Sequence, residues 1–71
     1  MKINPDDIKV GYKLMSFDEE ELKWYVTEVT DVKSDVIGLR DIDPNSPVQG
    51  LEFGTTWREI EDVEQFKRME I

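Results

Sequence analysis

Short runs of alternating apolar and polar positions recur along the chain, and turn residues separate them. Residues 12–17 alternate, residues 22–30 are rich in aromatic and β-branched side chains, and residues 36–42 follow a short polar turn. Such runs are typical of half-buried strands. Their spacing predicts an antiparallel hairpin between the second and third strands, and the acidic run Asp18–Glu21 predicts the loop between the first two.

The C-terminal part begins with the longest turn signal of the chain, residues 43–50, which contain two prolines. Residues 51–57 predict a fourth strand, with Phe53, Thr55 and Trp57 on one face. A final edge strand is predicted at residues 67–71.

A helical turn is predicted between these last two strands. Thr56 and Glu59 have the spacing of a capping box, in which each side chain accepts from the backbone amide of the other residue. Ile60, Val63 and Phe66 could line a helix face, although a spacing of three throughout drifts around a helix. The pattern therefore favours one or two turns near residues 59–66.

This order of elements predicts a single, mainly β domain over residues 1–71. The layout predicts a small SH3-like antiparallel barrel of about five strands with a short helical turn near residues 59–66. The alternative is an α+β fold, in which a four-stranded sheet carries a longer C-terminal helix.

Size and composition restrict how such a domain is stabilised. The chain has 71 residues and contains neither cysteine nor histidine. A core this small is marginal and is usually supplemented by disulfides, a metal or a partner subunit. Without disulfides or the usual zinc ligands, a homodimer is the expected supplement, and no cofactor is predicted.

Charge is the most informative global property. Seventeen acidic residues against nine basic ones give a net charge of −8, while 38% of residues are hydrophobic, enough for a packed core. Such a surface repels nucleic acid and anionic lipid and attracts basic proteins. The basic residues are scattered, so direct binding of nucleic acid is not expected.

The acidic residues fall into three groups, on the first loop, around the central hairpin and around the helical turn. Carboxylates are good acceptors for arginine and lysine, so all three groups are predicted to contact a basic partner. The predicted contact residues are Asp18, Glu19, Glu20, Glu21, Glu28, Asp31, Asp35, Asp41, Asp43, Glu59, Glu61, Asp62 and Glu64.

One pattern resembles a calcium-binding loop. Asp41, Asp43, Asn45 and Glu52 fall on EF-hand spacing, but Ser46 occupies the position that requires glycine. The preceding run predicts a strand, whereas an EF-hand requires an incoming helix. A turn-rich loop is therefore favoured, with weak calcium binding by residues 41–52 left open.

Catalysis is not predicted. The serines have no histidine to act as a base, and the isolated glycines form no phosphate-binding loop. Paired carboxylates could perform acid–base chemistry, but that chemistry needs a buried pair in a cleft.

In composition, size and predicted small-barrel layout, the chain resembles the acidic host-takeover proteins of bacteriophages. Those proteins imitate DNA and block basic host proteins such as the histone-like protein HU. The resemblance lies in the runs 18–21 and 59–64 and in the acidic residues of the hairpin. It implies a homodimer that occupies the nucleic-acid-binding surface of a basic, DNA-binding host protein.

The expected setting is the cytoplasm, of the host if the chain is phage-encoded. The start of the sequence lacks the apolar segment of a signal peptide, and no apolar run is long enough to span a membrane. The alternative function is an SH3-like adaptor or accessory subunit that binds protein through an aromatic groove formed by Tyr12, Trp24, Tyr25 and Trp57.

Overall fold

The computed structural model describes residues 2–69, which form a five-stranded antiparallel sheet and one short helix. The order across the sheet is β4-β3-β2-β1-β5, so the last two strands in the chain form its opposite edges. The strands are β1 (Lys13–Asp18), β2 (Lys23–Val32), β3 (Ile37–Asp41), β4 (Glu52–Thr55) and β5 (Phe66–Arg68).

The helix α1 spans Trp57–Ile60, which is earlier and shorter than the predicted turn near residues 59–66. The capping box is confirmed, because the Thr56 hydroxyl accepts from the Glu59 amide at 3.0 Å and the Glu59 carboxylate accepts from the Thr56 amide at 3.1 Å. Trp57 consequently belongs to α1 and not to the fourth strand.

Asp62 explains why the helix ends early. Its carboxylate accepts from the Glu64 amide, and its carbonyl accepts from the amides of Gln65 and Phe66. The side-chain bond is the one that competes with helix continuation, because the Glu64 amide would otherwise donate to the Ile60 carbonyl. Phe66 therefore starts β5, and the alternative of a longer C-terminal helix is wrong for the part of the chain that the structure describes.

The inner face of the sheet carries the core. α1 and the segment around the 3₁₀ turn Pro5–Asp7 contribute residues to this face. Three partly buried aromatic residues, Tyr12, Phe53 and Trp57, pack against this core. The buried core residues are Ile3, Ile8, Leu14, Val29, Ile37, Leu39, Ile60 and Phe66.

A β-bulge at Thr30 bends β2, since the register with β3 shifts between Val29 and Asp31. Gly38 lies opposite the bulge, where an added Cβ would be 3.0 Å from the Thr30 Oγ1 and 3.2 Å from the Asp31 Cβ. The bulge therefore requires glycine on the facing strand.

Replacing Gly38 with alanine is expected to lower the free energy of unfolding by about 1–2 kcal/mol, because the new methyl group overpacks the bulge. Urea unfolding followed by tryptophan fluorescence measures the change. Gly54→Ala is the matched control, since its Cβ would meet only the Val36 Cγ2 closely, at 3.2 Å. A Gly38 variant as stable as the Gly54 variant would contradict this interpretation of the bulge.

The sheet remains open in this structure. Among residues 2–69, no ladder of hydrogen bonds joins β4 to β5. The prediction of a mainly β fold with a five-stranded antiparallel sheet and a short helix is confirmed, while closure into an SH3-like barrel stays a prediction. No helix within the described residues is long and apolar enough to cross a membrane.

Candidate functional site: an acidic groove between the edge strands

A groove of about 610 Å³ lies where the two edges of the sheet approach each other. One wall comes from β4, through Phe53, Gly54 and Thr55, and the other from Phe66 of β5 and the preceding Gln65. Residues from both edges line one groove because the sheet curls around its inner face. Its volume lies within the range of small-molecule and side-chain pockets.

Tyr25 lies on β2 and lines the groove between these two walls. Only 7% of this residue is exposed. Among residues 2–69, no group forms a hydrogen bond with its hydroxyl, and no buried side-chain polar atom lacks a partner, so the hydroxyl is the part of Tyr25 that stays accessible to solvent. The groove thus combines an aromatic lining with the Tyr25 hydroxyl, which can both donate and accept a hydrogen bond.

Three acidic residues line one side of the groove, Asp18 at the end of β1 and Glu19 and Glu20 in the loop that follows. The loop is held by Asp18, whose carboxylate accepts from the Glu20 amide at 2.8 Å and from the Glu21 amide at 3.1 Å. The chain then returns through Leu22, which adopts a positive φ of 55°. The turn therefore fixes the direction of the acidic loop.

A fourth carboxylate, Glu59, reaches the groove from α1. The capping box holds its side chain at the start of the helix. The segment that follows α1 is tied to β1, because the Phe17 amide donates to the Gln65 carbonyl at 2.8 Å. Pairing of β1 with β5 thus brings together carboxylates that are about 40 residues apart in sequence.

The groove is an electronegative site. Asp41 adds a fifth carboxylate to its lining, and no lysine or arginine of the described chain lines it. The pKa of Tyr25 is raised, first by burial and then by the negative charges of Glu21, Asp18, Asp43 and Asp41. The same field favours any cation that enters the groove.

The raised tyrosine pKa predicts a loss of stability in alkaline solution. Above pH ~10, an unfolded tyrosine loses its proton while Tyr25 in the folded protein keeps it. The unfolded state then binds fewer protons, so the free energy of unfolding falls as pH rises, whereas below pH ~10 this contribution is fully present.

Urea unfolding between pH 9 and 12 measures this slope, and Tyr25→Phe is expected to make it shallower. Tyr12, whose pKa is also raised by burial, accounts for part of the remaining slope. Identical slopes for the variant and the parent protein would contradict the assignment to Tyr25.

Asp41 and Asp43 are not on the acidic surface where the sequence prediction placed them. They are only 5% and 8% exposed. Asp41 accepts from the Asp43 amide and from the Ser46 hydroxyl, and Asp43 accepts from the amides of Val26 and Asn45. Asp41 closes the loop after β3 and Asp43 also ties that loop to β2, so the oxygens of both carboxylates are committed within the protein.

The same bonds bear on the calcium-like pattern of residues 41–52. Among the described residues, no group of three or more acidic side chains is arranged to hold a metal ion. The carboxylates of Asp41 and Asp43 bind amides and a hydroxyl of the turn that they form. The structure thus shows a hydrogen-bonded turn at this position.

The hairpin acids lie away from the groove. Glu28 is on the outer face, opposite Lys13 and Arg40 in register, and the Asp31 carboxylate lies 3.6 Å from the Lys33 ammonium. Asp31 is separated from the acidic loop by most of β2, roughly 25 Å at ~3.3 Å per residue. Asp35 is exposed on the β2–β3 turn. These three form a second acidic area.

The remaining predicted contact residues do not line the groove. Glu21 is exposed at the end of the acidic loop, and Glu61, Asp62 and Glu64 are exposed between α1 and β5. The carboxylate of Asp62 also accepts from the Gln65 side chain at 3.1 Å. Of these four residues, Glu21 contributes to the field in the groove, because its negative charge raises the pKa of Tyr25.

The predicted aromatic groove is not assembled. Tyr12 and Trp57 pack against the core, and the Trp57 indole donates to the Lys33 carbonyl at 2.9 Å. Trp24 lies on the outer face of the sheet, with the Lys67 ammonium 4.4 Å from its ring centre. Of the four predicted aromatic residues, only Tyr25 lines the observed groove.

Sequence reasoning missed Phe53, Phe66 and Gln65 as groove residues. The alternation of Phe53 with Thr55 indicates a shared face of β4, but no local pattern reveals that this face meets β5. Comparison with protein-family models, with curated proteins and with solved structures finds no match for this chain. The function is therefore inferred from the charge and shape of the groove.

Proposed function

We propose that this chain is an acidic protein-binding domain whose groove binds a basic region of another protein. One observation carries the proposal: four accessible acidic residues, three near the end of β1 and one on α1, line a partly aromatic groove together with the buried Asp41, and the described chain places no basic residue there. A groove with uncompensated negative charge attracts lysine and arginine side chains, and aromatic walls favour them further.

The exposed rim supplies most of the charge available to a partner. Glu19, Glu20 and Glu59 are exposed, and Asp18 is half-buried. The described chain contains two ion pairs, Lys33 with Asp31 and Arg40 with Glu52, and neither uses a groove carboxylate. A basic partner can therefore pair with the rim without breaking an existing ion pair.

In its most specific form, the proposal is that the domain competes with DNA for a basic, DNA-binding protein of the host. Its carboxylates then take the place of phosphates as acceptors for arginine and lysine. The domain acts as an inhibitor by occupancy and not as an enzyme, and the bacterial host cytoplasm is the compartment that this partner implies.

We propose a homodimer formed through the outer face of the sheet. This face carries two apolar cross-strand pairs, Met15 with Val26 and Phe17 with Trp24, all partly exposed. The two rings of the second pair lie 5.2 Å apart. An antiparallel sheet face in water is normally polar, and a second copy would cover this face; of these four residues, Phe17 also lines the groove.

Sedimentation velocity tests the dimer. The parent protein is expected to sediment as a dimer at ~100 μM, and Trp24→Ser is expected to weaken self-association about tenfold or more, since aromatic anchors dominate interfaces. Circular dichroism checks that the variant folds. A parent protein that stays monomeric over the whole concentration range would contradict the dimer.

The adaptor alternative is favoured by one observation, the aromatic lining of the groove by Tyr25, Phe53 and Phe66. It depends on an SH3-like arrangement of the strands. Apolar binding survives high salt, whereas binding through rim charges weakens as salt screens them over ~8 Å at physiological ionic strength. Salt dependence therefore separates the two functions.

Affinity capture from a nuclease-treated bacterial lysate tests the proposal, with and without competing duplex DNA, at low and high salt. Basic DNA-binding proteins that DNA and salt both displace are the expected result. Capture of a non-basic protein that neither DNA nor salt displaces would contradict the proposal and favour the adaptor.

A further inference from the structure

The backbone of β4 has a free edge beside the groove. The Asp41 amide donates to the Leu51 carbonyl at 2.9 Å, so Leu51 directs its carbonyl towards β3. The alternation of an antiparallel ladder then turns the backbone groups of Phe53 and Thr55 towards β3 as well. The backbone groups of Glu52 and Gly54 consequently point away from the sheet.

This edge is accessible. Glu52 and Gly54 are exposed, and Gly54, which lines the groove, has no side chain that would obstruct an incoming strand. An exposed edge strand is a template for pairing with another extended chain. The other edge, β5, is shorter and partly used, since the Phe66 amide donates to the Asp62 carbonyl at 2.9 Å.

The side chains of a strand added at β4 would alternate between the two faces of the sheet. Those on the inner face would enter the groove, near the Tyr25 hydroxyl and the rim carboxylates of Glu19, Glu20 and Glu59. Tyr25 lines the groove, and its hydroxyl has no hydrogen-bond partner in the described chain and is accessible to solvent. The Tyr25 hydroxyl and the rim carboxylates can all accept hydrogen bonds from the N–H groups of a lysine or arginine side chain.

We propose that the groove binds an extended basic segment of the partner as a sixth strand against β4. Lysine or arginine side chains at alternate positions of that segment enter the groove. This inference rests on the proposed function and deepens it, because it defines which part of a basic protein the domain recognises. Main-chain hydrogen bonds supply affinity and the alternate charged side chains supply specificity.

The test uses a ten-residue peptide with lysine at alternate positions and threonine or valine between them. Two further peptides carry N-methyl groups, one on the lysines and the other on the intervening residues. A strand offers every second N–H to a given neighbour, so only one methylation pattern removes the bonds to β4. Because the peptide repeats every two residues, a shift of register by two leaves this test unchanged.

The expected result is that one methylation pattern weakens binding about tenfold or more, while the other changes it less than threefold. Exchange of the Glu52 and Gly54 amides, followed by NMR, is expected to slow about tenfold with the unmodified peptide. Glu59→Gln is expected to weaken binding and keeps the capping box, since glutamine can replace glutamate there.

Equal affinities for all three peptides, together with unchanged exchange at β4, would overturn strand addition. The outcomes also separate this inference from the function on which it rests. If the peptide fails to bind while a basic, DNA-displaced protein is captured through the rim carboxylates, strand addition fails and the proposed function stands. If neutralising those carboxylates also leaves capture of the basic protein unchanged, the proposed function fails as well.

Discussion

Replacing Asp43 with alanine is expected to lower the free energy of unfolding by about 3 kcal/mol. The Asp43 carboxylate accepts from the Val26 amide at 3.0 Å and from the Asn45 amide at 2.9 Å. Hydrogen bonds to a charged group contribute ~1.5–3 kcal/mol each, and alanine leaves both amides without their acceptor.

The effect is large because the bond between the Val26 amide and the Asp43 carboxylate lies where β3 ends. Ile42 donates its amide to the Val26 carbonyl at 3.0 Å, but the Val26 amide turns to the Asp43 side chain. The carboxylate thus replaces a backbone carbonyl as the partner of β2. A 71-residue domain has a total stability of roughly 4–10 kcal/mol, so losing this bond removes much of it.

Urea unfolding followed by tryptophan fluorescence measures the loss. Asp43→Asn, which keeps one acceptor oxygen, is expected to lose about half as much. Asp35→Ala is the matched control, because Asp35 is exposed on the β2–β3 turn, and its variant should stay within ~0.5 kcal/mol of the parent. A loss below 1 kcal/mol for Asp43→Ala would show that the carboxylate does not hold the loop.

Neutralising the acidic loop is expected to weaken binding of the proposed basic partner about 10-fold to 100-fold. The variant combines Asp18→Asn, Glu19→Gln and Glu20→Gln. Asparagine retains the side-chain oxygen that Asp18 uses to hold the turn. Exposed ion pairs contribute up to ~1 kcal/mol each, and three of them together give this range.

A matched variant separates this effect from net charge. Glu28→Gln, Asp31→Asn and Asp35→Asn remove the same number of charges from the second acidic area, away from the groove. Both triple variants thus have the same net charge, and only the loop variant is expected to lose affinity by more than about threefold. Isothermal titration at low salt measures both, and equal losses would assign binding to overall charge.

Much of the fold could be predicted because it depends on local patterns. Alternation located β2 and β3 within a few residues, and the spacing of Thr56 and Glu59 identified the capping box. The helical turn was extended too far because Val63 and Phe66 continue the spacing of Ile60. In the structure Val63 is 52% exposed and Phe66 has joined β5.

The candidate site could be predicted only in part. The sequence identified Asp18–Glu21 and Glu59 as acidic groups, but their meeting depends on pairing of β1 with β5. No local pattern indicates this long-range contact. Asp41 and Asp43 were predicted to contact a partner as members of the hairpin group of carboxylates, which can accept from arginine and lysine. Both are buried because their carboxylates satisfy backbone donors where β3 ends.

The most direct test of the central claim is displacement of DNA from a purified basic nucleoid protein of the HU class, measured by fluorescence anisotropy of a labelled duplex. The account predicts that, at low salt, the parent protein displaces the duplex from the nucleoid protein. The variant that combines Glu28→Gln, Asp31→Asn and Asp35→Asn is expected to do the same. The acidic-loop variant is expected to need at least a tenfold higher concentration. If the parent protein fails to release the duplex, or all three proteins release it equally, the groove is not a site that competes with DNA.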